Sequence, residues 1–404
     1  MREGAGPIEA DHSRRERTRQ PRRAHFEREQ PNTKRVAIVG PSAASLTVAM
    51  GAMIHEIRRR GNVVACFTPH IDRTSRQILN RLHASVKELP RFRRLFSPLA
   101  DQRSVARLVK AFRELRPHIV TAYSPKAAVL AGLAGRLVGI ERRVAIIGEL
   151  GGAFSDNADT ASKKGSKWQR SLLRLAFRLN DTVVILNEEN HKLLQSQNFL
   201  SSRLRQFPVN GTGIDLRQFP VAQLPPLDRG VIFLFVGSLD KRLGVHDFCE
   251  AARLLRAKKG KYHCLLTGPE MRGPNAFPRA KVEAYREFVQ YLGPQADPRP
   301  YIARSHVVVL PALGDAIPLA LMEAIAMGRP IITSTARGCR VVVREGSNGL
   351  LVPPGDAKAL ASAMARLLLR PDLIPAMARS SREVAEAQFD ERRITGQLME
   401  ALGL

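Results

Sequence analysis

From Lys34 onward the chain alternates short apolar runs with longer amphipathic stretches. An apolar run at 36–39 is followed by the turn Gly40-Pro41-Ser42, a helical stretch ending at Arg60-Gly61, and a second strand at 63–67. The cycle recurs at 119–122, 144–147 and 183–186. A glycine-rich stretch, Asn210 to Asp215, and a proline-rich one, Gln223 to Leu227, then interrupt it, and the second reads as a hinge. A fresh cycle starts at 231–236 and continues through 263–267, 307–310 and 331–334. Near-continuous apolar strands linked by helices predict the α/β class, with two Rossmann-like doubly wound domains facing each other across a cleft. The expected boundaries are a disordered basic extension at 1–33, a first domain at 34–222 and a second at 223–404, with the last helix free to cross back.

Composition agrees with two globular domains, since 404 residues exceed what one hydrophobic core usually serves. Four cysteines fall at wide spacings with no C-x-x-C, which argues against a zinc site or disulfide framework and fits a reducing cytosol. No apolar run approaches the roughly 20 residues a spanning helix needs, and the charged N-terminus lacks the apolar core of a secretory signal.

Charge changes the picture more. The formal net charge is +27, of which residues 1–35 supply only ten basic against six acidic side chains, so most of the excess belongs to the folded part. Residues 81–116 carry ten basic and three acidic side chains, and residues 161–180 carry six basic and none acidic. In the second segment leucines recur at helical spacing, with Lys167, Arg170 and Arg174 between them and Trp168, the only tryptophan, near the start. A basic amphipathic helix of this kind suits an anionic membrane surface; an ordinary surface helix packing its leucines inward fits the same pattern. Nucleic acid is the competing acidic partner, but aromatics are 5% of residues and no recognised motif interleaves with the basic runs, so no nucleic acid is expected.

Candidate chemistry concentrates between Gly314 and Asp356. Asp315 and Glu323 stand eight residues apart across a loop-to-helix junction, after the run 307–310 and before a helical pattern that Gly328 stops. A helix start offers unpaired N–H groups, here from Ala316, Ile317 and Leu319, to a diphosphate, while flanking carboxylates accept from hydroxyls; Pro318 has no N–H to give. The same spacing fits an ordinary strand–loop–helix unit. The histidines show no metal spacing and no G-x-S-x-G elbow is present, so neither a metal nor a hydrolase is implied.

The order Asp315-x7-Glu323, Gly328-Arg329-Pro330, Gly338-Cys339-Arg340-Val341 and Asn348 to Pro354 resembles the donor-site block of glycosyltransferase family 4, in its capsule and exopolysaccharide branch. The likeness runs from about Lys34 to the C-terminus. It implies a GT-B fold and a retaining transferase that moves a sugar from a nucleotide sugar to a polyprenyl-linked acceptor, without metal or cofactor, at the inner face of the cytoplasmic membrane. By the same resemblance Glu323 would hold the ribose, Asp315 the sugar or phosphate, and Gly268 would stand near the base. Gly40 and Ser42 would line the acceptor side, with Glu149 as base or acceptor-orienting group. Relatives usually neutralise the donor diphosphate with an Arg and a Lys, where this chain has Ser238 and Leu243; Lys241 and Arg242 are the nearest substitutes. These departures keep a second expectation open, a catalytically degenerate, membrane-associated binding protein that partners an active transferase.

Overall fold

The computed structural model describes residues 33–90, 98–154, 163–258 and 260–404. The expected extension at 1–33 lies outside them, Thr33 excepted. Strands β1 (Arg35–Val39), β2 (Val63–Thr68), β3 (Ser85–Glu88), β4 (Ile119–Tyr123), β5 (Arg142–Ile147), β6 (Thr182–Ile185) and β7 (Arg205–Pro208) form one parallel sheet in the order 3-2-1-4-5-6-7. Their crossovers are α1 (Ala43–Arg59), α2 (Arg73–Arg81), α3 (Pro98–Leu115), α4 (Pro125–Val138), α5 (Lys163–Leu179) and α6 (Glu188–Ser196). Strand alternation sorts the core into two layers: Ala37 and Val39 of β1 pack with Leu108 and Phe112 of α3, and Val36 and Ile38 pack with Met50, Met53 and Ile54 of α1.

A second sheet holds β8 (Val231–Val236), β9 (Tyr262–Thr267), β10 (Gln290–Tyr291), β11 (Val307–Leu310), β12 (Ile331–Ser334) and β13 (Gly349–Val352), in the order 10-9-8-11-12-13. It is also parallel throughout. Helices α7 (Val245–Leu255), α8 (Arg279–Glu283), α9 (Arg299–Ala303), α10 (Leu319–Ala326), α11 (Arg337–Arg340), α12 (Ala357–Leu369) and α13 (Ile374–Gln388) accompany it. The last helix, α14 (Glu391–Leu402), returns to the first sheet, where Ile394, Leu398 and Met399 are buried in the α1 layer. Arg142 Nη1 donates to Leu402 O at 2.9 Å and Lys34 Nζ to Gly403 O at 3.1 Å. Two doubly wound α/β halves of this kind make the GT-B architecture.

The segment expected to act as a hinge, Gln223 to Leu227, is tied to the second half through main-chain carbonyls in and beside it. Arg329, fully buried, donates Nη1 to Ala222 O at 2.7 Å and Nη2 to Gln223 O at 2.9 Å, and it also reaches Ile302 O and Ala303 O. His306 Nε2 pairs with Pro225 O at 3.0 Å. Chain crossings between the halves therefore narrow to Val209–Asp215 and Phe389–Glu391, which bridge each other at Ile214 and Asp390. Gly213, at φ +82, has no room for a Cβ, which would stand 2.6 Å from Glu391 Cα.

Candidate functional site

In a doubly wound sheet a crevice opens beyond the strand carboxyl ends where the connection reverses direction. In the second sheet that point lies between β8 and β11. The loops after these two strands, Gly237–Arg242 and Pro311–Pro318, are stitched together by the Leu313 N–H, which donates to Arg242 O at 2.8 Å. Gly268, at the end of β9, has φ +150, and a Cβ there would meet Gly237 O at 1.9 Å. It serves the close approach of two loops at the carboxyl end of the sheet.

The cations of the first loop are not equivalent. Arg242 donates to both carboxylate oxygens of Asp240, with the shortest contact at 2.6 Å, while more than half its side chain stays exposed. Lys241 is exposed, and its amino group has no partner among the described residues. Leu243 packs against the second core beside Gly237, so the register where a lysine is expected is occupied by an apolar contact. Ser238 is half-buried at the strand end.

Across the crevice, α10 starts at Leu319 behind Pro318, whose side chain makes no cap bond. Among the described residues the N–H groups of Ala316, Ile317, Leu319 and Ala320 donate to nothing, which leaves a cluster of donors at the positive end of the helix. Gly338 lies against this loop, and a Cβ on it would sit 1.9 Å from Ala316 O. One turn along α10, Glu323 is 9% exposed and makes no side-chain hydrogen bond among the described residues. Burial pushes its carboxyl up to about 7; Asp297 raises it further and Arg299 pulls it down. Glu323 thus lies near the segment after β10, whose Gly293 accepts from Gly268 N and from Thr267 Oγ1. The loops after β8, β9, β10 and β11 all leave the carboxyl ends of the same parallel sheet.

Asp315 departs from its expected place. Its Oδ2 accepts from the Leu150 N–H at 2.7 Å, and its main-chain oxygen accepts from Asn187 Nδ2 at 2.8 Å and Asn190 Nδ2 at 3.1 Å. In this conformation one oxygen of the carboxylate is engaged by the first half. Burial raises its pKa, against the Leu150 hydrogen bond and the Arg337 charge. Glu149, next to Leu150 and partly in solvent, also has a raised pKa, from desolvation first and then the Asp315 charge, with Arg242 opposing. Glu149, Asp315 and Arg242 therefore share one electrostatic neighbourhood.

More side chains join the halves than the sequence signalled. Arg337 donates to Asn190 Oδ1 at 3.1 Å and Phe154 O at 2.9 Å, and Arg340 pairs with Glu189 at 2.6 Å. Asn187 and Asn190 follow β6 with no motif to mark them; only their position at a strand carboxyl end was available as a clue.

On the first half, Gly40 and Ser42 are at the cleft end of β1, and both take part in holding the fold there. A Cβ on Gly40 would strike Leu46, and the Ser42 hydroxyl accepts from Ser45 N at 3.1 Å in a capping box for α1. The basic side chains of α5 are also partly spent internally. Arg170 donates to Ala153 O at 2.9 Å and lies over the Phe154 ring, so it does not face outward as expected. Arg174 is exposed but stacks on Phe199, Lys167 is exposed, and Trp168 is half-buried.

Two family models match the chain, a "Glycosyl transferase 4-like domain" over residues 46–236 and "Glycosyl transferases group 1" over residues 230–370. The chain is 23% identical over 372 residues to the N,N'-diacetylbacillosaminyl-diphospho-undecaprenol alpha-1,3-N-acetylgalactosaminyltransferase of Campylobacter jejuni, covering 89% of this chain and 96% of that one. It is 29% identical to the amylovoran biosynthesis glycosyltransferase AmsK of Erwinia amylovora, over 48% of this chain and 50% of that protein. The fold matches that of Anabaena HepE, solved in complex with UDP, with a TM-score of 0.72 at 17% identity, over 91% of this chain and 99% of that one.

Proposed function

Because the chain belongs to glycosyltransferase family 4, we propose that it moves a sugar from a nucleotide sugar to a polyprenyl-linked acceptor in exopolysaccharide or capsule synthesis, with retention of anomeric configuration. The observation that carries this reading lies at the second sheet's switch point, where N–H groups at the start of α10, unbonded among the described residues, stand one turn from the buried carboxyl of Glu323, which is also unbonded among them. A diphosphate suits the N–H groups, and a ribose diol suits Glu323, which accepts two hydrogen bonds when ionised. Lys241, whose amino group has no partner among the described residues, would neutralise the charge that develops on the leaving diphosphate, with Arg242 beside it. Glu149 and Asp315 bracket the sugar when the halves part far enough to admit it. The acceptor class follows the Campylobacter relative, whose name specifies a diphospho-undecaprenol substrate. No helix among the described residues is long and apolar enough to cross a membrane, so the proposed contact with an anionic leaflet at the cytoplasmic face is peripheral.

A second reading, a transferase-like partner without turnover, is favoured by Leu243, which fills a cation's register with a packed leucine. Both readings meet in one experiment: calorimetric titration of the full chain with nucleoside diphosphates and nucleotide sugars, with Glu323→Ala as control, followed by donor turnover. Binding that Glu323→Ala abolishes, with turnover, is the expected result. Binding without turnover on any lipid-linked acceptor selects the partner reading, and absence of nucleotide binding by folded protein removes both donor-site assignments.

A further inference from the structure

A large recess with apolar walls lies away from the cleft, on the outer face of the first half. Helices α3, α4 and α5 enclose about 990 Å³ there, with Val105 and Val109 of α3, Leu133 and Leu137 of α4, and Leu175 and Leu179 of α5 as walls. Three of the nine large apolar side chains that stand exposed among the described residues belong to it: Leu133, Leu137 and Leu175. A protein with no use for such a surface normally covers it or replaces it with polar groups.

The surroundings of the groove specify its occupant. The three helices carry twelve lysines and arginines against two acids, Asp101 and Glu114. The groove itself is lined by Asp101, Glu114, Lys110 and Arg113; both acids are paired, Asp101 with Lys126 at 3.0 Å and Glu114 with Lys87 at 3.6 Å, so the excess charge left beside it is that of Lys110 and Arg113. Arg103, Arg107 and Lys110 follow one another along α3, all exposed. An apolar channel inside a cationic rim is complementary to a hydrocarbon chain that carries an anionic head.

Direction follows from topology. In a parallel α/β layer the crossover helices run opposite to the strands, so α3, α4 and α5 all begin at the cleft end. Between Asp101 and Glu114 the groove follows α3 for roughly 20 Å, at about 1.5 Å per residue. Helix α5 is shared by both sites: Leu175 and Leu179 wall the groove, while Arg170 holds the Gly151–Phe154 turn beside Glu149 and Leu150. From this we infer that the α3–α4–α5 groove takes the isoprenoid tail of the lipid diphosphate acceptor, with the diphosphate end directed toward the cleft. The assignment of that tail rests on the polyprenyl-acceptor reading; the groove itself does not.

The test measures the affinity of the full chain for farnesyl diphosphate and for inorganic pyrophosphate by calorimetry, in the wild type and in the Leu133→Glu/Leu137→Glu variant. Both leucines are exposed, at 36% and 61%, so the substitutions are compatible with folding. Farnesyl diphosphate should bind at least about tenfold tighter than pyrophosphate, and UDP should not displace it. The variant should lose about tenfold or more for farnesyl diphosphate while keeping its affinity for UDP. Equal affinity of the two proteins for farnesyl diphosphate, or no gain from the tail, overturns the proposal. Flotation on phosphatidylglycerol vesicles with and without undecaprenyl phosphate separates the lipid sources: the variant should lose only the increment due to the polyprenyl lipid. Equal loss on both vesicles would make the groove an acyl-chain site and overturn the isoprenoid assignment. A change from dimer to monomer in sedimentation, with lipid affinity intact, would give the groove to a second copy of the chain. UDP binding reports separately on the transferase reading, so its failure with farnesyl diphosphate binding retained would sink that reading and leave the groove.

Discussion

Glu323 carries a cost that a binding role explains. Its carboxyl is buried, raised to about 7, and bonded to nothing among the described residues. Below the ordinary carboxyl range both folded and unfolded chains hold the proton. As pH rises from about 4.5 to about 7 the unfolded chain ionises first, so it binds fewer protons than the folded one and stability falls. Above about 7 the penalty is complete, on the order of 3 kcal/mol. Glu323→Gln removes the ionisation, so its melting temperature should exceed that of the wild type at pH 8 and match it more closely at pH 5, in thermal denaturation followed by circular dichroism. The same substitution should weaken nucleotide binding at pH 8 by about tenfold or more, since a charge-assisted bond to a diol is lost. Stability gained together with affinity lost is what a functional carboxyl predicts; a residue serving only the fold would lose stability.

Among the elements, the interior strands were legible and the edges were not. Each of the interior strands β1, β2, β4, β5, β6, β8, β9, β11 and β12 announced itself as an apolar run, because strands flanked on both sides and covered on both faces need side chains of that kind. The four edge strands β3, β7, β10 and β13 escaped. β3 is SVKE, β7 RQFP and β10 QY, short and polar as edges tend to be, while β13, GLLV, lies inside the stretch Asn348 to Pro354, whose flanking glycine and prolines obscure a four-residue apolar run. At the site, the spacing of Asp315 and Glu323 was visible, but the engagement of Asp315 by Leu150, Asn187 and Asn190 depends on contacts over more than a hundred residues that no local pattern encodes. Arg329 is a similar case: in the sequence it is the middle residue of a turn, and in the fold it ties the connecting segment to the second half. Arg329→Met should leave several buried carbonyls without donors and cost about 3 kcal/mol or more, read as a lower urea midpoint. A midpoint within error of the wild type would mean that water replaces the guanidinium.

For the whole molecule, the contacts between halves set the resting state of the cleft. Asp315 accepts from Leu150 in the structure described here, so a sugar seeking that carboxylate has to displace a main-chain N–H of the opposite half. Asp315→Ala removes this link, and a charge-assisted hydrogen bond contributes about 1.5–3 kcal/mol. Small-angle scattering should then show a larger radius of gyration for the nucleotide-free variant than for the wild type; identical profiles would mean that Asn187, Asn190 and the Arg340–Glu189 pair hold the halves together without it. The return of α14 has a consequence of another kind, in the order of assembly. Ile394, Leu398 and Met399 complete the layer that covers α1 and one face of the first sheet. While the ribosome is still making the second half, that face is covered by α1 but lacks the side chains of α14, although its strands and most of its helices have emerged. The half made first completes this layer only after α14 has been made, so maturation of the two halves is coupled and not sequential.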